Sequence, residues 1–476
     1  VAGADVLIAS NRGPLSFRRS ESGEITSARG GGGLVSAMVA AAAGDDSLWL
    51  CATLSEVDRE IAAASPDGRI DLAGYDTGGA AVAMLDVDPA TLHGAYTSIS
   101  NETLWRLNHD LVDLSDPPTY DDAWRLAWAA YVAYNERFAT AIAQAASPNA
   151  KVLVQDYHLD LAPAMIRERR PDLRIAHFTH TPWARRRTFE LLPADVGAAI
   201  IRGLLGADSV GFHSPRWATD FADCAIAVTE AGYDGEAVEL DGRTVPLRIH
   251  PLGVDAAPLL DRAAEPDVAD RARELRAAVG GRRVIGRVDR TEPAKNVYLG
   301  LLAFAELLRI ESEHRDRVVH VVLAYPSRQD VVEYRRYTEL CLTTAEKINT
   351  EFGTTDWQPV LLEVRDDYPR SLATLQQSDV LLINPLRDGM NLVAKEGSLL
   401  TADAVLVLSR EAGAADEMGA DALLVDPTDV AATADALHRA LTMPAEERAR
   451  RHRGLAAAAV ALPPHAWLEQ QLDVLD

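Results

Sequence analysis

Short apolar runs and longer amphipathic stretches alternate along almost the whole chain. The runs "ADVLIAS" (4–10), "SLWLCAT" (47–53), "AVAMLDV" (81–87), "KVLVQ" (151–155), "RIAHFTH" (174–180) and "DSVGFHS" (208–214) form a first series. A second series holds "RRVIGRVD" (282–289), "RVVHVVLAY" (317–325), "PVLLEV" (359–364), "DVLLIN" (379–384), "AVLVLS" (404–409) and "ALLVD" (422–426). Strands alternating with helical periodicity predict βα units around a parallel sheet buried on both faces. A charged, Pro-marked helical stretch separates the series, which places a linker near residues 253–280. Two doubly wound α/β domains are therefore predicted, 1–252 and 253–460, with 461–476 as a C-terminal helix able to cross back to the first.

Doubly wound folds bind ligands outside the carboxyl ends of their strands, so the residues after each run are the candidates. In "LLINPLRDGMNLVAKEGSLL" (381–400) an apolar run ends at Asn384, and helical periodicity resumes at Leu392. Between them, Asp388 reads either as a ligand for hydroxyl groups, aided by the backbone N–H groups of Gly389, Met390 and Asn391, or as a plain helix cap. A cap at Asp388 does not explain why Arg387, Asn391, Lys395 and Glu396 crowd the same turn and a half. Arg290 and Lys295, in "VDRTEPAKN", suit a diphosphate or form a surface pair beside a turn. The run Gly30 to Gly33 before Leu34 permits close backbone approach to an anion or makes an ordinary loop. His177 and His180 would point to opposite faces of a strand, which argues against a metal pair. His180 is then a structural histidine or a partner for a sugar hydroxyl, and "DVD" at 86–88 reads as a strand-end turn.

Composition narrows the function classes. At 476 residues the chain exceeds the ~250–300 at which single cores stop growing, and its 48% hydrophobic and 25% charged residues are those of a folded globular protein. A formal charge of −24 argues against nucleic acid or an anionic membrane as partner. Cys51, Cys224 and Cys341 are far apart with no C-x-x-C pair, which suggests neither a disulfide scaffold nor a zinc site and fits a reducing compartment. No basic leader precedes an apolar stretch, and "LVSAMVAAAAG" (34–44) is too short to span a bilayer, so a cytoplasmic protein is expected. A homo-oligomer is compatible with all of this.

"NPLRDGMNLVAKE" followed by "VLVLSREAGAADEM" closely resembles the nucleotide-sugar site of bacterial trehalose-6-phosphate synthases, retaining glycosyltransferases with the GT-B fold of two facing Rossmann-like domains. "SNRGP", "GGGGL", "SNETLW", "QDYHL", "HTPW", "HPLGVD", "VDRTEPAKN" and "PSR" match that family's order and spacing over nearly the whole chain. The resemblance implies transfer of glucose from a nucleotide-glucose donor to glucose 6-phosphate, without a metal or other cofactor. It implies that Arg290 and Lys295 hold the donor diphosphate. Asp388 with Gly389, Met390 and Asn391 would hold the glucose, Leu392 would add a donor contact, and Glu396 would hold the ribose. His180 would bond the donor sugar near the reacting carbon, with Gly33 and Leu34 closing over the donor. Arg12, Tyr96, Trp105 and Arg328 would bind the acceptor's phosphate end and Asp156 its hydroxyls. Retention is attributed in this family to front-face attack, with the departing phosphate helping to take the acceptor's proton.

The chain departs from the family in three places. Cys51 and Ala52 stand where relatives carry a Gly-Trp pair lining the acceptor pocket. "QDYHL" and "HTPWA" replace "HDYHL" and "HIPFP", which changes the neighbours of Asp156 and His180. Asp366 and Asp367 fall where relatives place the loop beside the nucleobase; a carboxylate there could accept the N1–H and N2–H2 edge of guanine, so GDP-glucose is favoured over UDP-glucose, and a solvated acidic loop is the competing reading. The alternatives are a transferase on the same scaffold with a pseudo-sugar phosphate acceptor, and a non-catalytic regulatory subunit that binds sugar phosphate. A dehydrogenase is disfavoured, because no G-x-G-x-x-G with a following acidic residue succeeds a strand.

Overall fold

Each apolar run carries a strand in the structure, a computed structural model that describes residues 3–20, 22–29, 35, 38–39, 42, 46–115, 117–328 and 331–476. The chain divides into one unit of Val1–Pro251 with Pro464–Asp476 and another of Leu252–Pro463.

Among the described residues of the first unit, nine strands form one sheet. Its order is Val82–Leu85, Ser47–Ala52, Ala4–Ser10, Ala146–Gln155, Arg174–Thr179, Ser209–Phe212, Arg243–Ile249, Ala237–Leu240 and Gly232–Tyr233. The first seven are parallel and the last two join antiparallel. The second unit holds six described strands, all parallel, in the order Val360–Val364, Val318–Tyr325, Arg283–Arg290, Val380–Ile383, Val405–Ser409 and Leu423–Val425. Counted along the chain this is 3-2-1-4-5-6, the dinucleotide-fold order. In each sheet the order reverses at one place: between Ala4–Ser10 and Ala146–Gln155 in the first, and between Arg283–Arg290 and Val380–Ile383 in the second. Crossover connections leave those points in opposite directions, so a crevice opens at the carboxyl ends of the two strands.

Burial explains why the strands were visible. Seven of the eight residues of Val318–Tyr325 are buried, because helices cover both faces of a parallel sheet. Helix Val297–Ile310 sets Val297, Leu301, Phe304 and Leu308 on that sheet at three- and four-residue spacing. The stretch expected to be a linker is not one. It folds as helices Ala256–Ala263 and Pro266–Val279, whose Leu259, Ala263, Val268 and Ala272 pack with Leu372 and Ala373 inside the second unit. Its charged residues are the solvent face of two amphipathic helices, which composition alone confuses with a linker.

The last helix, Pro464–Asp473, belongs to the first unit. Trp467 is fully buried, donates from Nε1 to the His250 carbonyl at 2.9 Å, and meets the Phe178 ring edge-on at 4.8 Å. Among the described residues no helix is long and apolar enough to cross a membrane. Trp467→Ala leaves a large cavity and removes a donor from the His250 carbonyl, so urea denaturation should show a loss of about 3–5 kcal/mol in the first unit. A loss under about 1 kcal/mol would mean that the helix is not docked as described.

Candidate active site

The second unit's reversal point is lined by charge. Strand Arg283–Arg290 runs out into a turn at Pro293–Lys295, and strand Val380–Ile383 into the loop that holds Asp388. Lys295 Nζ lies 2.5 Å from Asp388 Oδ2, and Asn391 Nδ2 donates to the same oxygen at 3.0 Å. Burial alone would lower the Lys295 ammonium; Asp388 and Asp289 outweigh it and raise its pKa. Beneath the turn, Arg287 is fully buried, paired with Asp289 at 2.9 Å, and donates to Asn384 Oδ1 and to the Lys295 carbonyl. The turn is thus tied to both strands of the reversal by side chains that water cannot screen.

Asp388 is not the helix cap. That role falls to Asn391, whose side chain accepts from the Ala394 N–H of helix Leu392–Leu400 while its backbone takes φ 77°. The loop is also joined to the segment after strand Val405–Ser409: Asp388 N–H donates to Glu411 O at 3.1 Å, Gly413 N–H to Asp388 O at 3.0 Å and Ala414 N–H to Met390 O at 2.8 Å. Position 413 must be glycine, since a Cβ there would sit 1.9 Å from the Gly389 carbonyl oxygen. Lys395 is buried and paired with Glu417 at 2.5 Å, a structural role. Burial pushes the Glu396 carboxyl up to about 7.

Arg290 keeps about half its side chain exposed, and its guanidinium rests 2.9 Å from the buried carboxylate of Glu292. Ser327 Oγ donates to the same Glu292 oxygen at 2.6 Å. Burial pushes the Glu292 carboxyl up, but Arg290, Ser327, Lys295 and Arg328 outweigh it and hold it below its usual range. Glu292 therefore links the turn of Arg290 to the loop of Arg328, which sits against the Tyr334 ring. Sequence reasoning missed it; a lone acid between two cations in "RTEPAK" was the available signal. Asp366 is exposed, whereas Asp367 caps helix Tyr368–Gln376 through the Arg370 N–H and lies 3.1 Å from Arg271.

In the first unit the reversal point gathers Arg12, Tyr96, Asp156 and His180. Arg12 Nη2 donates to the Tyr96 hydroxyl at 2.8 Å, and Tyr96 comes from the π-helical stretch His93–Leu104, which no sequence periodicity announced. The Tyr96 ring stacks on His158, 5.7 Å between centroids. Trp105, just after that stretch, is buried and stacked on His109. Cys51 and Ala52 are buried in strand Ser47–Ala52, with burial pushing the Cys51 thiol up to about 12. Gly33 and Leu34 lie outside the described residues.

Asp156 takes φ 73° and ψ 166°, a conformation costing a non-glycine residue about 1–3 kcal/mol. Its Oδ1 accepts the His180 N–H at 3.1 Å. Burial nevertheless raises its carboxyl from 3.8 to about 6, against the opposing pull of the Tyr157, His180 and Thr181 N–H groups. Burial holds the His180 ring neutral, down to about 3. With Gln155 Oε1 accepting from its Nε2 at 2.8 Å, Nδ1 is left as an acceptor for a ligand hydroxyl. Gln155 is in turn met by Gln471 of the last helix at 3.4 Å. The substitution that gives "QDYHL" thus sets the tautomer of the neighbouring histidine.

The family model for glycosyltransferase family 20 matches residues 4–476. Trehalose-6-phosphate synthase of Mycobacterium avium (strain 104) is 36% identical over 486 residues, 99% of this chain and 95% of its own. An E. coli structure described as trehalose-6-phosphate bound with UDP-2-fluoro glucose superposes with a TM-score of 0.84 at 27% identity, covering 99% of this chain and 98% of that one. The UDP-forming α,α-trehalose-phosphate synthase of Burkholderia vietnamiensis gives 0.83 at 28% identity, covering 99% and 97%.

The Asp156 geometry predicts a pH signature. Because the folded-state pKa is raised, the folded protein loses stability as pH rises from about 4 through 6, by about 2–3 kcal/mol in all. Asp156→Asn should therefore be more stable than the parent at pH 7.5, with the gap closing at pH 4. Urea denaturation at the two pH values checks this; a gap independent of pH would contradict it.

Proposed function

The chain belongs to glycosyltransferase family 20, and from that premise we propose that it transfers glucose from a nucleotide-glucose donor to glucose 6-phosphate with retention, forming α,α-trehalose 6-phosphate. The observation that carries the reading is the pairing of Lys295 with Asp388 at the second unit's reversal point, with Arg290 half-exposed beside them.

When the bond from the glucose C1 to the diphosphate breaks, negative charge grows on the leaving phosphate. Two fixed cations stabilise that charge without a metal, and because they are held by Asp388 and Glu292 before the ligand arrives, little reorganisation is needed. Asp388, fixed by Lys295 and Asn391, accepts from glucose hydroxyls. Glu396 accepts from the ribose. In the first unit, Arg12 and Tyr96 take the acceptor's phosphate end and Asp156 takes its hydroxyls. The acceptor hydroxyl attacks C1 on the face the diphosphate leaves, and its proton passes to the departing phosphate.

For the nucleobase, Asp366 is the carboxylate available, since Asp367 caps a helix. One carboxylate can still accept both guanine donors, whereas uracil offers a single N–H, so GDP-glucose remains the favoured donor. The buried Cys51 and Ala52, without the family's tryptophan, support a second reading in which the acceptor is a different sugar-like phosphate.

Nucleotide release with glucose 6-phosphate, measured side by side with GDP-, UDP- and ADP-glucose, tests the proposal. Turnover is expected with GDP-glucose first and UDP-glucose second, and Asp388→Ala should lose at least about 100-fold of it while keeping its circular dichroism spectrum. Silence with all three donors would reject glucose 6-phosphate as acceptor, and full activity in Asp388→Ala would reject the assigned site.

A further inference from the structure

The amino ends of the second sheet hold a side-chain cluster that the proposed reaction does not use. Glu313 and His314 lie on the single turn Ser312–His314, which precedes strand Val318–Tyr325, and His438 comes from helix Val430–Thr442. His314 Nε2 and His438 Nδ1 are 3.0 Å apart, and one ring nitrogen of each histidine and a Glu313 carboxylate oxygen all lie within 4.8 Å of one another. We propose that Glu313, His314 and His438 bind a divalent transition-metal ion of the zinc type.

Three features of the cluster fit that ion. Two nitrogens bound to a tetrahedral zinc at about 2.0–2.1 Å would be about 3.3–3.4 Å apart, so the rings need open by only a few tenths of an ångström. Two imidazoles and a carboxylate are also the ligand types that suit a borderline-soft cation, and three protein ligands leave a position for water. His314 is buried and His438 half-buried while Glu313 is exposed, which gives the ion a way in from solvent.

The surrounding charges favour the same outcome. Glu311 and Arg283 are the further charged neighbours of His314. Glu311 Oε2 stands 3.9 Å from His438 Nδ1 and supplies a second carboxylate nearby. Arg283, the facing cation, is engaged by the Leu441 carbonyl and by Asp379. Without a metal, the same geometry is one imidazole donating to the other. The site lies at the end of the sheet away from the strand ends that carry Arg290 and Asp388, so the ion would clamp the turn to the helix and take no part in catalysis.

The test uses the intact protein, stripped with a chelator, exchanged into chelator-free buffer and titrated with Co2+ by visible absorption and with Zn2+ by calorimetry. One equivalent of each should bind, with the cobalt bands of an imidazole-containing site and a rise in the melting temperature on adding Zn2+. His438→Ala should bind at least tenfold more weakly. Glu313→Gln, an exposed change that leaves the fold intact, should bind more weakly too, and nucleotide release should be unchanged in both. Parent protein that binds Co2+ and Zn2+ no more tightly than these two variants would overturn the proposal and leave the pair as a plain hydrogen bond.

Discussion

The pairing of Lys295 with Asp388 is the contact on which the second unit's site depends. Each residue stands just beyond a different strand of the reversal point, so their ion pair joins the two sides of the crevice. An ammonium with little access to water is costly unless a carboxylate faces it. That requirement pins the Asp388 loop, which the hydrogen bonds to residues 411–414 then hold from the other side.

The same economy of charge recurs one layer down. Arg287 with Asp289 and Arg290 with Glu292 alternate sign along one strand and the turn after it, each cation held by a carboxylate two residues further on. The buried pair fixes the backbone of the turn, while the outer pair leaves Arg290 half in solvent. A site arranged in this way keeps a guanidinium open to solvent although the chain carries a net charge of −24. In the first unit the cost takes another form: Asp156 combines a backbone conformation suited to glycine with a carboxyl that burial resists ionising. Strain and desolvation at one residue are what a position kept for ligand contact, rather than for stability, is expected to show.

The strands were legible because parallel strands covered on both faces must be continuously apolar, whereas their order, and with it the reversal points, came only from the structure. The expectation of a linker failed where Leu259, Ala263, Val268 and Ala272 hide an apolar stripe among charges. The turn at Asp388 was visible as a break in pattern, but its cap was not, since Asn391 adopts a left-handed conformation that no periodicity encodes. Glu292 was missed because its importance comes from Ser327, 35 residues away, and the change to Gln155 was visible while its partner Gln471, 316 residues away, was not. Long-range partners of polar side chains are what a local reading cannot supply.

In the proposed reaction the second unit's reversal point receives the donor's diphosphate. Calorimetry of free GDP and UDP against the parent protein and Arg290→Gln tests it most directly, with circular dichroism checking that the variant, whose Glu292 has lost its ion-pair partner, keeps its fold. The account predicts that the variant binds both nucleotides about 30–100-fold more weakly, the loss of about 2–3 kcal/mol expected of a charge-assisted contact, with guanosine and uridine binding unchanged. Equal diphosphate affinity in the two proteins would contradict it.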